Sequence, residues 1–249
     1  MKKIHHALLW IAVIGSVSSC TKEEPDLTDT LLPTRVILES DEWLLTYSYT
    51  YEFSRMKSES VMQENKNSGE TYTNTYLYSY SNGRIAQRTW ENIDSEGQVT
   101  STTRYYNYYE NGNFHSSEFE GGEPSSFHEH SDDGLVISEN SAWDNEKISE
   151  WTYSDEHNLL RVIRNYDTEN EFSYEYVYDD LHCPYRNVAQ SDPENNNFFT
   201  CVNNFTGQTY YRIDGSVDET SYELEYNEHG FLTKRTSGDW TYTYEYNQE

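Results

Sequence analysis

Aromatic residues at every second position are the feature that most limits how this chain folds. In residues 47–53, tyrosine or phenylalanine occupies each odd position, and serine, threonine or glutamate occupies each even one. Side chains two apart lie on one face of an extended strand, and tyrosine and threonine favour strands. The alternation recurs near residues 72–80, 172–178, 222–226 and 240–246. It predicts strands with one aromatic, buried face and one polar, exposed face.

Turn-forming residues separate these segments at regular intervals. Asn82-Gly83 and Asn111-Gly112 are strong signals for tight hairpin turns. Clusters of Asp, Asn and Gly near residues 134, 158, 180 and 230 are variants of the same signal. The turns recur about every 25 residues, or twice that, which predicts a degenerate repeat of hairpins. Residues 55–70 and 183–201 lack the alternation, and we expect both stretches to be loops.

These patterns predict an all-β fold for residues 34–249. We expect an antiparallel meander of roughly 12–16 strands, curled or closed into a soluble barrel-like sheet with the tyrosines inside. The alternative is an open single sheet or a sandwich. The polar face carries serine, threonine, glutamate and arginine, so we expect no apolar band of the kind that spans a membrane.

The first twenty residues have the layout of an export signal. Lys2 and Lys3 precede an apolar run over residues 7–14, which is too short to span a bilayer as a helix. Small residues follow the run and end in Val-Ser-Ser-Cys at Cys20, which resembles the lipobox of bacterial lipoproteins. The resemblance implies a signal peptide over residues 1–19, cleavage before Cys20, and acyl chains such as palmitate on that cysteine. Contact with the membrane would then be through this lipid anchor alone.

Residues 20–33 follow as an acidic segment with two prolines, and we expect a flexible tether. Its Lys22, Glu23 and Glu24 resemble the export signal that directs Bacteroidota lipoproteins to the cell surface. The resemblance implies an outer-membrane lipoprotein displayed on the cell surface. The periplasmic face of that membrane is the alternative location.

The repeat itself resembles two groups of proteins. Tyrosine, a turn with Asp or Asn and Gly, and then an aliphatic residue resembles the YD repeats of bacterial surface and toxin-shell proteins, as at residues 80–85 and 226–232. The chain is also similar to uncharacterised Bacteroidota lipoproteins whose tyrosine-rich domain is described as porin-like in fold. That resemblance covers nearly all of residues 34–249 and implies a fold without implying an activity.

Composition narrows the partners. The formal net charge is −27, and removal of Lys2 and Lys3 with the signal leaves 15 basic against 44 acidic residues. Such a charge repels nucleic acid, so we expect no nucleic-acid partner. In an oxidising compartment Cys183 and Cys201 are predicted to form a disulfide, and two free thiols are the alternative.

No residue set in the sequence indicates catalysis, a metal or a cofactor. His128 and His130 supply too few ligands for a metal site, and no nucleophile elbow or phosphate loop is present. We therefore expect a non-catalytic module that binds a glycan or a protein; the alternatives are a structural envelope protein without a small ligand and, with least support, a hydrolase. Trp90 and Trp143 lie outside the clearest strands and are the candidate ligand-contact aromatics.

Overall fold

The chain folds into antiparallel β-strands. The computed structural model describes residues 31–93, 97–188 and 202–247, and it assigns no helix within these ranges. The strands are β1 (Pro33–Glu39), β2 (Trp43–Glu52), β3 (Arg55–Asn65), β4 (Thr71–Ser81), β5 (Arg84–Ile93), β6 (Val99–Tyr108), β7 (Phe114–Phe119), β8 (Ser126–His130), β9 (Val136–Ser141), β10 (Lys147–Tyr153), β11 (Leu159–Arg164), β12 (Phe172–His182), β13 (Asn203–Tyr211), β14 (Val217–Ser221), β15 (Glu223–Tyr226), β16 (Leu232–Ser237) and β17 (Trp240–Tyr246).

The strands form two sheets. The large sheet has ten strands in the order β15-β16-β17-β1-β2-β3-β4-β5-β6-β7, and the small sheet has seven in the order β14-β13-β12-β11-β10-β9-β8. Strands that follow each other along the chain pair within each sheet, and β17 also pairs with β1, which joins the first and last strands. The all-β meander is confirmed, with 17 strands against the 12–16 expected.

The strands do not close into a barrel. Neither β7–β8 nor β14–β15 is a paired neighbour, so the meander is interrupted at two places. At the first break, which we call the seam, side chains replace the backbone ladder: the Tyr109 hydroxyl donates to the His128 carbonyl at 3.1 Å, and His128 Nδ1 lies 3.3 Å from the His115 carbonyl. The two-sheet alternative therefore holds, in place of a closed barrel.

The sequence repeat has a defined structural unit. In the hairpins β2–β3, β4–β5 and β6–β7, the register shifts at a tyrosine just before the turn, namely Tyr51, Tyr80 and Tyr108. Each of these hydroxyls donates to a backbone carbonyl at the start of the preceding strand. Tyr80 donates to the Met56 carbonyl at 2.5 Å, and Tyr108 donates to the Ile85 carbonyl at 2.8 Å. Tyr51, Tyr178 and Tyr246 make equivalent bonds, to Pro33, Leu159 and Leu232. The repeat thus pairs one tyrosine with one buried residue at the start of the strand before it.

The in-phase tyrosines form much of the core, as the alternation predicted. Tyr49, Tyr78, Tyr106, Tyr244 and Tyr246 are buried in the core of the large sheet, together with aliphatic residues that follow the turns. Burying such rings removes roughly 150–250 Å² each from water. The alternation therefore predicts correctly which tyrosines are buried in the core of the large sheet.

The expectation of a loop at residues 55–70 is wrong over most of its length. Residues Arg55–Asn65 form β3, which pairs with β2 on one side and with β4 on the other. Its side chains are mainly charged or hydroxylic, but both neighbouring strands pair with it, and this pairing overrides weak local preference. The described part of the second stretch, up to residue 188, is a series of turns, in which the Val188 amide donates to the Tyr185 carbonyl at 3.0 Å.

The N-terminal predictions lie outside the described residues. These include the signal peptide, Cys20, and the export signal of Lys22, Glu23 and Glu24. The first described residues, Leu31 and Leu32, belong to the expected tether and are buried in the core of the large sheet. Over the described ranges, no helix has the length and apolar character needed to cross a bilayer.

Candidate functional site

A cavity of about 330 Å³ lies between the large sheet and the segment that begins at Cys183. Its walls are mostly aromatic or aliphatic, contributed by β1, β2, β16 and β17 of the large sheet and by β13 of the small sheet. Characteristic lining residues are Val36, Tyr47, Tyr185, Phe205 and Tyr242. Binding sites for small molecules have this character, mainly apolar walls with a few polar groups.

Arg235 on β16 is the cation of this cavity. It is 8% exposed, yet it makes no hydrogen bond and no ion pair with any described residue, and its Nε atom is buried without a partner. Its guanidinium carbon lies 4.1 Å from the ring centroid of Tyr242, 4.6 Å from that of Phe205 and 5.0 Å from that of Tyr222. Burying an unpaired cation costs several kcal/mol, and each desolvated contact with a ring offsets about 2 kcal/mol or more.

Glu59 on β3 is the carboxyl group that lines the same cavity. It is 9% exposed, and the Tyr78 hydroxyl donates to its Oε2 at 3.4 Å. Four strand spacings separate β3 from β16 in the large sheet. At about 4.8 Å per spacing, Glu59 and Arg235 are about 19 Å apart along the sheet. The cavity therefore has a cationic end and an acidic end, with rings between them.

The tyrosine hydroxyls around the cavity remain protonated. Burial, followed by the nearby Glu59 carboxyl, raises the pKa of Tyr47 and raises the pKa of Tyr49 further. Burial raises the pKa of Tyr244 to about 12, and the positive charge of Arg235 opposes that shift. These hydroxyls therefore act as neutral hydrogen-bonding groups at physiological pH, and they leave the charge of Arg235 uncompensated.

Asn204 on β13 contributes an open acceptor. Its backbone amide donates to Asp179 Oδ1 at 3.1 Å, and its side-chain amide donates to the His182 carbonyl at 3.0 Å. Its Oδ1 atom is buried without a hydrogen-bond partner among the described residues. Asn204 also lines the cavity, and these two hydrogen bonds hold its side chain in place.

The structure separates the two candidate tryptophans. Trp90 on β5 is 42% exposed, stacks on Tyr76 with 6.5 Å between ring centroids, and donates to Asn74 Oδ1 at 3.1 Å. Strand register places Trp90 opposite Tyr76 and Tyr76 opposite Glu59, so Trp90 shares the cavity's face of the sheet, two strands beyond it. Trp143 is 82% exposed in the turn between β9 and β10 of the small sheet. Neither side chain lines the cavity.

The cysteine pair is described on one side only. Cys183 is buried, and its amide donates to the Val202 carbonyl at 3.1 Å, which places the chain after Cys201 beside it. Cys201 itself lies outside the described residues, so the disulfide remains a prediction.

His128 and His130 lie on the same strand at the seam, where they contact aromatic rings. Across the three described ranges, no group of three or more His, Cys, Asp or Glu side chains is arranged to hold a metal ion.

Sequence reasoning did not single out Arg235, although a signal was present. Counting outward from the turn at Gly238-Asp239 pairs Ser237 with Trp240 and Arg235 with the in-phase Tyr242. Directly opposite residues share a face, so this count places the arginine on the aromatic side of the sheet. Its contact with Phe205 joins the two sheets and has no local signal.

No protein family model and no curated protein matches the sequence. Among solved structures, the chain is similar to a porin-like protein from Bacteroides uniformis (13% identity, TM-score 0.45, 86% of this chain and 98% of that chain) and to one from Bacteroides vulgatus (10%, 0.41, 88% and 99%). It is also similar to the Tc holotoxin pore of Photorhabdus luminescens (12%, 0.34, 82% and 11%). Likenesses at this level carry no statement about function, which must be argued from the cavity.

Proposed function

We propose that this chain is a non-catalytic binding module of the bacterial cell envelope, and that it holds a small ligand in the aromatic cavity. The observation that carries the proposal is a space of about 330 Å³ walled by rings from both sheets, with Arg235 buried in its wall. The ligand would be a glycan unit, because sugar rings present apolar faces that stack on aromatic side chains.

A purely structural role accounts less well for the cavity. Protein interiors are close-packed, and an unfilled space costs stability in proportion to its volume. A spacer or coat protein would gain nothing from keeping such a space beside a buried, unpaired cation. A binding site recovers both costs when the ligand enters. These two features favour a binding module over the structural alternative.

The dimensions favour a sugar unit over a protein partner. The cavity volume lies near the lower end of the range for small-molecule sites. A folded protein would need a broad complementary surface instead. Trp90 lies on the same face of the sheet as the cavity and is exposed, so a longer glycan has an aromatic contact beyond it.

A glycan array tests the proposal. The mature chain would carry Cys20→Ser so that it stays soluble without lipid. We expect binding to a restricted set of glycans. Leu38→Trp places an indole in the cavity and should abolish that binding, because Leu38 lines it. Leu77→Trp is the matched control, since Leu77 is exposed on β4. A blank array, or equal binding by parent and Leu38→Trp, would contradict the proposal.

Attachment to the envelope is tested separately. Cys20→Ala removes the acceptor for lipid, so the protein should move from the membrane fraction to the soluble fraction. Replacing Lys22, Glu23 and Glu24 together with alanine should leave it membrane-bound but protect it from protease added to intact cells. Continued membrane retention of a correctly processed Cys20→Ala protein would refute the anchor.

A further inference from the structure

We propose that the cationic end of the cavity is a carboxylate-binding site, and that its ligand is a ring-sized hydroxy acid. The inference rests on the binding function proposed above and adds the chemical class of the ligand. It starts from Arg235, which is 8% exposed and has no anionic or hydrogen-bonding partner among the described residues.

The aromatic rings around Arg235 do not satisfy it. A guanidinium group carries five N–H donors in a planar fork and stays charged at every physiological pH. The rings of Tyr242, Phe205 and Tyr222 stabilise its charge through their faces, but they accept none of these hydrogen bonds. Buried polar groups in proteins are almost always paired. The donors beside an open cavity therefore point to an anion that none of the described residues supplies, and a carboxylate matches the fork geometry.

A second open group specifies more of the ligand. Asn204 lines the same cavity, and its Oδ1 atom is a buried acceptor without a hydrogen-bond partner among the described residues. It calls for a donor, and a hydroxyl group supplies one. Between these polar groups the walls are rings, including Tyr47 and Phe205, which suit a flat or chair-shaped ring of the ligand. Carboxylate, hydroxyl and ring are therefore the three features that the cavity selects.

The carboxylate belongs at the Arg235 end of the cavity. Glu59 lines the cavity about 19 Å from Arg235 along the sheet, at about 4.8 Å per strand. A ring-sized ligand that meets Arg235 does not reach that carboxyl group, so Glu59 does not repel its carboxylate. Two kinds of molecule share this chemistry: a sugar acid such as a uronic acid unit, and a hydroxylated aromatic acid.

Isothermal titration of the mature Cys20→Ser chain distinguishes them. The probes are glucuronate, galacturonate and 4-hydroxybenzoate, and their uncharged partners are glucose, galactose and 4-hydroxybenzyl alcohol. We expect at least one acid to bind, and to bind about tenfold or more tightly than its uncharged partner, as loss of a hydrogen bond to a charged group implies. The sugar arm and the aromatic arm show which source is preferred.

Variants assign the effect to Arg235. Arg235→Gln removes the charge and should weaken binding of the acid about tenfold or more, and it should weaken binding of the uncharged partner by a smaller factor. Arg235→Lys keeps the charge but loses the fork, so its affinity should be intermediate. Lys234→Gln is the matched control, because Lys234 is the adjacent cation, and its partly exposed ammonium group pairs with Glu225 at 2.7 Å. It should bind the acid as the parent does. Circular dichroism and melting temperature report whether each variant is folded.

The outcomes separate this inference from the proposed function. If the uncharged compounds bind as well as the acids, and Leu38→Trp blocks them, the binding module stands and the carboxylate site is overturned. If Arg235→Gln does not fold, Arg235→Lys decides: unchanged acid affinity in that variant overturns the site. If none of the six compounds binds, the hydroxy-acid ligand is overturned, and the glycan array then decides whether the binding function survives.

Discussion

Hairpins of the large sheet and the hairpin β8–β9 of the small sheet have a β-bulge at the same place, just before the turn, but different residues occupy it. In β4–β5 and β6–β7 the bulged position holds Tyr80 and Tyr108, whereas in β8–β9 it holds His130. The two tyrosine hydroxyls donate to carbonyls at the start of the preceding strand. The Nδ1 atom of His130 is buried without a partner among the described residues.

This difference coincides with the interruption of the sheet. The strand before Tyr80 and the strand before Tyr108 are paired with the strands that carry these tyrosines, but β7 is not paired with β8, which carries His130. A phenol reaches farther from the backbone than an imidazole and ends in a donor. We infer that the tyrosine hydroxyl couples each hairpin to the one before it, and that the seam must rely on other side-chain contacts.

The largest expected effect concerns the buried aliphatic residue that pairs with a tyrosine in each repeat. Ile85 is 1% exposed and accepts the Tyr108 hydroxyl through its carbonyl. Ile85→Ala removes buried methyl groups and leaves a cavity, so the free energy of unfolding should fall by about 2–5 kcal/mol. Urea unfolding measures it. Ile137→Ala in β9 is the control, because Ile137 is 37% exposed and should cost less than about 1 kcal/mol. Equal losses would break the comparison.

The next effect tests the hydroxyl. Tyr80→Phe removes the donor to the Met56 carbonyl and leaves that acceptor in the core, at an expected cost of about 1–3 kcal/mol. Tyr72→Phe on the same strand is the control, since Tyr72 is 45% exposed, and its change should lie within about 0.5 kcal/mol. If both variants unfold at the parent's urea concentration, the hydroxyl does not couple the hairpins.

The smallest effect concerns acid sensitivity at the seam. Burial, and to a lesser extent the neighbouring His128, lowers the pKa of His130 from 6.5 to about 4. Between these pH values the unfolded chain binds a proton that the folded chain does not. The free energy of unfolding therefore falls as the pH drops from 6.5 towards 4, and the contribution is intact above 6.5. His130→Gln should remove this part of the pH dependence.

Melting temperatures from pH 8 to pH 4 provide the measurement. At pH 8 the histidine is uncharged in both states, so the difference between parent and variant there reports packing alone. A smaller drop on acidification is expected for His130→Gln than for the parent. Curves that stay parallel down to pH 4 would show that His130 does not sensitise the seam.

The candidate site was less accessible from sequence than the fold. The tyrosines that line it, such as Tyr47 and Tyr242, were predicted to be buried, but as core and not as a binding surface. Arg235 was not singled out, because its local sequence, Thr-Lys-Arg-Thr, is typical of an exposed strand. Its burial depends on Phe205, thirty residues away along the chain, and on Tyr222. Contacts of this kind leave no trace in a local pattern.

The sequence by itself determined most of the strands, their aromatic faces and most of their turns. These follow from alternation of side chains and from the backbone preferences of Asn and Gly, both of which act over a few residues. The tertiary structure alone decided that β17 pairs with β1, that pairing stops at the seam, and that a cavity with a buried arginine remains. These outcomes depend on which distant surfaces fit together. The alternation of side chains along a strand has a period of two whichever strand is its neighbour, so it does not specify that neighbour.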